Sequence, residues 1–139
     1  MKVAVDSSVL VSALIASENG HDECNQVLDS HQCSAHVHAL AETFNTLTGS
    51  RLGFRVPANQ VVVMFQREVL PRVTFVSLDA DETVHALMAA EQRGVRGGAV
   101  FDYHHLVAAM KAGAEKFFTL DTEDFRHISR PGDPEIACP

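Results

Sequence analysis

Five acidic residues stand where they could act together. Asp6 follows the apolar run Val3-Ala4-Val5, and Asp121 follows Phe117-Phe118-Thr119-Leu120. Asp102 falls in the first turn of a helical stretch, on the same face as Leu106 and Ala109, so it is expected to point inward. Glu42 lies in an otherwise uncharged helix between Ala41 and Thr43, and Asp124 follows Asp121 closely enough to join from the same loop. Each has an ordinary reading alone. Asp6 and Asp121 suit helix N-caps, and Asp102 suits the positive end of a helix dipole. As a set they are harder to dismiss. Carboxylates ~4 Å apart repel by about 1 kcal/mol in water and several times more near a protein surface. A converging set must therefore hold protons or bind cations. With oxygen ligands only, the expected cation is Mg²⁺ or Mn²⁺ rather than Zn²⁺.

These residues need elements to carry them. Val3 to Val5 is a short apolar run, followed by helical patterns from about Ser8 to Ala16 and from roughly His21 to Ser30. A short segment near Ser34 to Val37 precedes a helix over about His38 to Thr48, stopped by Gly49. Pro57 opens another helix, whose buried face is Val61, Phe65 and Val69, and Pro71 closes it. Val73 to Ser77 reads as a strand. Asp79 and Glu82 form a capping pair for a helix with a predicted core face of Val84, Leu87 and Met88. Gly94, Gly97 and Gly98 break the chain before a helix over about Val100 to Ala112, ended by Gly113. Phe117 to Leu120 is a strand, and residues 130–139 read as a loop-like tail. Strands alternating with helices predict an α/β domain with a mostly parallel central sheet flanked by helices, and ligands in such sheets bind beyond the strands' carboxyl ends.

Composition narrows the class. A chain of 139 residues fits one domain, and 46% hydrophobic with 21% charged residues is globular rather than disordered. No apolar stretch reaches the ~20 residues that cross a bilayer, and Asp6 interrupts the apolar start too early for a signal peptide. Three irregularly spaced cysteines argue for a reducing interior, so a cytoplasmic protein is expected. The net charge of −7 has the wrong sign for holding nucleic acid on a basic surface alone. Either the partner is not a polyanion, or local cations reverse the field. Arg51, Arg55, Arg67, Arg72, Arg93 and Arg96 cluster in the middle third, as a solvated mixed face or as phosphate contacts.

The ordered stretches Asp6-Ser7-Ser8, Ala39-Leu40-Ala41-Glu42-Thr43, Asp102 heading a helix with Ala108-Ala109 and Gly113, and Thr119-Leu120-Asp121 with Asp124-Phe125 resemble the PIN-domain pattern. More narrowly they resemble the VapC-type toxins of bacterial toxin–antitoxin pairs, from Lys2 to about Ile136. The resemblance implies a PIN-like three-layer sandwich and a Mg²⁺- or Mn²⁺-dependent ribonuclease with Asp6, Glu42, Asp102 and Asp121 as its acidic quartet. Ser8 and Thr119 match polar positions that orient the cluster, and Asp124 matches a more variable acidic position. It further implies metal-assisted phosphodiester hydrolysis to 5′-phosphate and 3′-hydroxyl ends, a basic antitoxin partner and a homodimer. Metal ions would then carry positive charge to the acidic pocket, with the middle-third arginines on flanking phosphates.

Other signals are weaker. Cys24, His31, Cys33, His36 and His38 lie close together, but no pair has the C-x2-4-C spacing of a zinc site. His104 and His105 follow Asp102; His105 can approach the pocket edge but reads as a bystander. No G-x-S-x-G elbow exists, and Gly94 to Gly98 lacks the Gly-Lys-[Ser/Thr] of a phosphate loop, reading instead as a flexible connector. Two rival classes are an inactive PIN-like adaptor, which has no use for clustered repulsion, and a receiver-like phosphoacceptor, whose central strand should end in Asp where this one runs into Ser77.

Overall fold

Five short strands organise this chain, the inner ones buried on both faces and the outer ones partly exposed. The structure, a computed structural model, describes all of residues 1–139. In order come β1 (Lys2–Val5), α1 (Ser7–Leu14), α2 (His21–Ser30), β2 (Gln32–His36), α3 (His38–Thr48) and α4 (Ala58–Met64). A π-helical turn over Phe65–Val69 extends α4 before β3 (Val73–Val76). Then follow α5 (Ala80–Leu87), a 3₁₀ turn Glu91–Arg93, α6 (Ala99–Lys111), β4 (Lys116–Phe118), α7 (Thr122–Ile128) and β5 (Glu135–Ala137).

The sheet order is β3-β2-β1-β4-β5, and every pairing is parallel. Parallel neighbours need crossover connections, so helices cover both faces and a three-layer α/β sandwich results. Successive β1 side chains divide between the layers. Val3 and Val5 enter a core with Val9, Leu10, Cys24 and Leu28 from α1 and α2. Ala4 joins Tyr103, Leu106, Phe117, Phe125 and Ile128 on the side of α6 and α7. No helix is long and apolar enough to cross a membrane.

The helices α2 and α3 have the expected bounds, and Asp79 and Glu82 form a reciprocal capping box at α5 (2.8 and 3.1 Å). Two expectations need correcting. The tail of residues 130–139 is not all loop: Glu135–Ala137 is β5, paired with β4 through Ile136↔Phe117. Its approach is fixed by Asp133, which accepts from Arg93 Nη1 (2.5 Å), Arg93 Nη2 (3.0 Å) and the Arg130 amide (2.8 Å). On α5, Val84 and Met88 are 63% and 77% exposed and Leu87 is exposed too. The buried residue is Ala86, whose carbonyl accepts the Tyr103 hydroxyl at 2.7 Å. The bond from Tyr103 fixes which face of α5 turns toward α6, leaving the larger apolar stripe outside.

Chain order sets the location of the site. After β1 the chain builds outward through β2 and β3, then crosses back to place β4 on the other side of β1. The carboxyl ends of β1 and β4 thus flank the point where the order reverses, the usual place for a ligand crevice in such sheets. Val5 pairs with Phe118, so Asp6 and Thr119 leave the sheet side by side.

Candidate metal centre

Asp6 is the anchor. It is 5% exposed and caps α1, accepting from the amides of Ser8 (3.1 Å) and Val9 (3.4 Å). The cap explanation is therefore correct but incomplete, because both carboxylate oxygens are also engaged by hydroxyls. Ser8 Oγ donates to Oδ1 at 2.5 Å and Thr119 Oγ1 to Oδ2 at 2.7 Å. Each hydroxyl in turn accepts a backbone amide at 3.0 Å, Leu120 into Ser8 Oγ and Asp121 into Thr119 Oγ1. Because the amides occupy the hydroxyls as acceptors, the hydroxyl protons are turned toward Asp6. These paired relays cross-link the ends of β1 and β4 and fix the carboxylate. Burial pushes the Asp6 carboxyl up, the Ser8 and Thr119 bonds and nearby His105 pull it down, and Asp121 raises it again, with a net upward result.

Asp102, in the first turn of α6, faces the same crevice. Burial first, then the Asp6 charge, with smaller contributions from Asp124 and Asp121, pushes its carboxyl up to about 6 against an opposing pull from His105. Asp121 sits at the N-cap position of α7 but makes no side-chain cap bond, and it is exposed. Its carboxylate is uncommitted, against the capping explanation. Asp124 is exposed and lines a cleft of about 300 Å³ with Asp102, Gly94, Gly98 and His127. Asp6, Asp102, Asp121 and Asp124 thus meet in one electrostatic neighbourhood. No group of three or more Asp, Glu, His or Cys side chains is arranged to hold a metal ion as the chain stands. The chemistry of the donors still fits a hard divalent cation. They are all carboxyl oxygens, and a double positive charge offsets both the burial and the neighbouring charges that disfavour ionised Asp102.

Glu42, the fourth expected acid, is turned elsewhere. Its Oε1 meets His105 Nε2 at 2.5 Å. Burial raises the Glu42 carboxyl, but the His105 bond and the charges of His105, His38 and His36 outweigh this and leave it below the usual range. His105 is 3% exposed and lies among the rings of His36 (5.7 Å) and His38 (6.4 Å). Burial, then His105, His104 and His38, push His36 down to about 4. His105 is therefore no bystander, for it stands between Glu42 and the aspartates. Its position one turn from Asp102 was the available signal, but the Glu42 partner comes from a distant helix.

The arginines divide. Arg72 bonds Asn25 (2.9 Å) and Asp29 (3.0 Å) of α2, and Arg93 holds Asp133. These two are structural, correcting the expectation that they hold phosphates. Arg51 approaches Glu18 loosely at 3.9 Å, while Arg55, Arg67 and Arg96 are exposed.

The family model for the PIN domain matches residues 3–131. Comparison with curated proteins gives no match. Among solved structures, the chain is similar to Mycobacterium tuberculosis VapC20, a sarcin–ricin loop cleaving toxin, with a TM-score of 0.69 at 18% identity over 95% of this chain and 99% of that one. It is similar to VapBC2 of Rickettsia felis, bound to a promoter DNA fragment, with a TM-score of 0.66 at 15% identity, covering 99% and 98%. VapBC-1 of nontypeable Haemophilus influenzae gives 0.64 at 14% identity over 99% and 98%. At these identities the likeness is one of fold.

Proposed function

The chain belongs to the PIN domain family, and on that premise we propose that it is a Mg²⁺- or Mn²⁺-dependent ribonuclease, the toxin of a toxin–antitoxin pair. The observation that carries this reading is the convergence of the relay-held Asp6 with the crowded Asp102 and the uncommitted Asp121 at the reversal point of the sheet. Asp6, Asp102 and Asp121 would hold the ion, with Glu42 at the margin. When bound, such an ion lowers the pKa of a coordinated water and offsets phosphodiester charge. The protein's own part is positional. Ser8 and Thr119 keep Asp6 from rotating, so its oxygens need no reorganisation on binding. Asp121 is free to adjust, and His105 keeps Glu42 ionised.

The matched folds include complexes named VapBC, which supports a protein antitoxin as partner. The acidic chain suits a basic one. A homodimer and a cytoplasmic location belong to the same reading. The test is cleavage of single-stranded RNA by the purified chain. Cleavage should require Mg²⁺ or Mn²⁺ and stop in EDTA; Asp6→Asn and Asp121→Asn should abolish it and Asp124→Asn should retain most of it. Cleavage that persists in EDTA, or in the Asp6 and Asp121 variants, overturns the reading.

A further inference from the structure

The helices that supply Glu42 and Asp102 face each other in two tiers. On α3, His38 and Glu42 are four residues apart, and on α6 so are Phe101 and His105, so each pair shares a helix face. The inner tier is the buried His105–Glu42 bond. The outer tier is a stack of Phe101 on His38, with ring centroids 6.0 Å apart and planes 21° from parallel. This outer tier is open to solvent: Phe101 is 53% exposed and His38 is exposed. A lone exposed phenylalanine is commonplace. A stacked pair beside an acidic centre, joined to it by the same two helices, is a more particular arrangement.

We propose that the Phe101–His38 stack is a ledge for an unpaired nucleobase of the RNA strand, next to the phosphate held at the aspartates. This rests on the nuclease reading above. The charge distribution supports it. The chain carries a net −7, and Arg72 and Arg93 are tied to structural partners, so fewer cations remain for the backbone than the sequence count suggests. Uncharged contact to a flanking nucleotide then gains weight, and a base offers a π-face to an aromatic ring whatever its identity. Phe101 and Asp102 are chain neighbours, with Cα atoms about 3.8 Å apart. On a helix, consecutive side chains point about 100° apart, so the ledge and Asp102 occupy adjoining faces of the same first turn of α6, and a strand crossing that turn meets both. The planar stack selects unpaired strands over duplexes, whose bases are already stacked.

The experiment compares the parent with Phe101→Ala, Phe101→Trp and His38→Ala. It measures steady-state cleavage of a single-stranded oligoribonucleotide in Mn²⁺, and 2-aminopurine fluorescence with the probe moved along the strand. Phe101→Ala should raise KM about tenfold or more with kcat nearly unchanged, His38→Ala should do so less, and Phe101→Trp should restore the parent value. Quenching should occur at one strand position in the parent and the Trp variant and vanish in Phe101→Ala. Parent-like KM and quenching in Phe101→Ala overturn the ledge and leave the nuclease reading standing, as does a KM defect that Trp fails to rescue. A parent that neither binds nor cleaves RNA in Mn²⁺ removes both.

Discussion

Asp102→Asn keeps side-chain shape and deletes one charge from the crowded cluster. The native carboxyl is pushed from 3.8 to about 6, first by burial and then by Asp6. In full burial that displacement is worth about 3 kcal/mol against the ionised form. Partial solvent exposure of Asp102 screens it to about 1 kcal/mol. The native state binds its proton more tightly than the unfolded chain does, so parent stability falls as pH rises from about 4 through 6. Asparagine has no such dependence. In chelator, the variant's melting advantage should therefore be small near pH 4 and grow to about 3 °C above pH 7. Adding Mn²⁺ should raise the parent's midpoint more than the variant's, and RNA cleavage should fall about a hundredfold or more. The measurement is a thermal melt of both chains at pH 4.5 and 7.5. An advantage that shrinks or reverses toward pH 7 means that Asp102 ionises comfortably as a helix-dipole partner, and the crowding argument fails.

Thr119→Val leaves the Asp121 amide without its acceptor and Asp6 Oδ2 without its donor. Urea unfolding should show a loss of about 1–3 kcal/mol, together with weaker Mn²⁺ stabilisation; unchanged stability would show the relay to be incidental. Arg93→Ala strands the largely buried Asp133 carboxylate, costing about 3 kcal/mol, and limited proteolysis should then release the segment after Arg130 first. Burial pushes the Cys24 and Cys33 thiols up to about 11, and both are buried while Cys138 is exposed. A thiol-disulfide reagent at pH 8 should therefore modify one thiol per native chain, at Cys138, and all three after denaturation.

Features fixed by local chemistry were legible in the residues. The helices over His21–Ser30 and His38–Thr48 end at turn or cap signals, and the Asp79–Glu82 box is a pairing of near neighbours. The acids Asp6, Asp102 and Asp121 could be placed because strand ends and a first helical turn are local features whose convergence follows from α/β topology. What failed depends on distant partners. An apolar stripe on α5 has a direction only once Tyr103 takes Ala86, and the pattern of Val84 and Met88 alone points to the wrong side. Pro131, Gly132 and Pro134 spell a loop, yet Arg93, far back in the chain, grips Asp133 and turns Glu135–Ala137 into an edge strand. His105 gave no sign that Glu42 would be its partner, since nothing near either residue encodes the meeting of α3 and α6.

The separation between Asp6 and Thr119 also gives the molecule a timetable. Asp6 leaves the ribosome well before its partner, since the hydroxyl that locks Oδ2 follows 113 positions later. At the ~5–20 residues per second of synthesis, that interval lasts on the order of 6 to 20 seconds. Throughout it, the central strand has one edge vacant and the acidic crevice has only one wall. The crevice is completed only when β4 docks. Until then the site stays incomplete, and any fragment cut short before Thr119 lacks half of the hydrogen bonds that hold Asp6 in place.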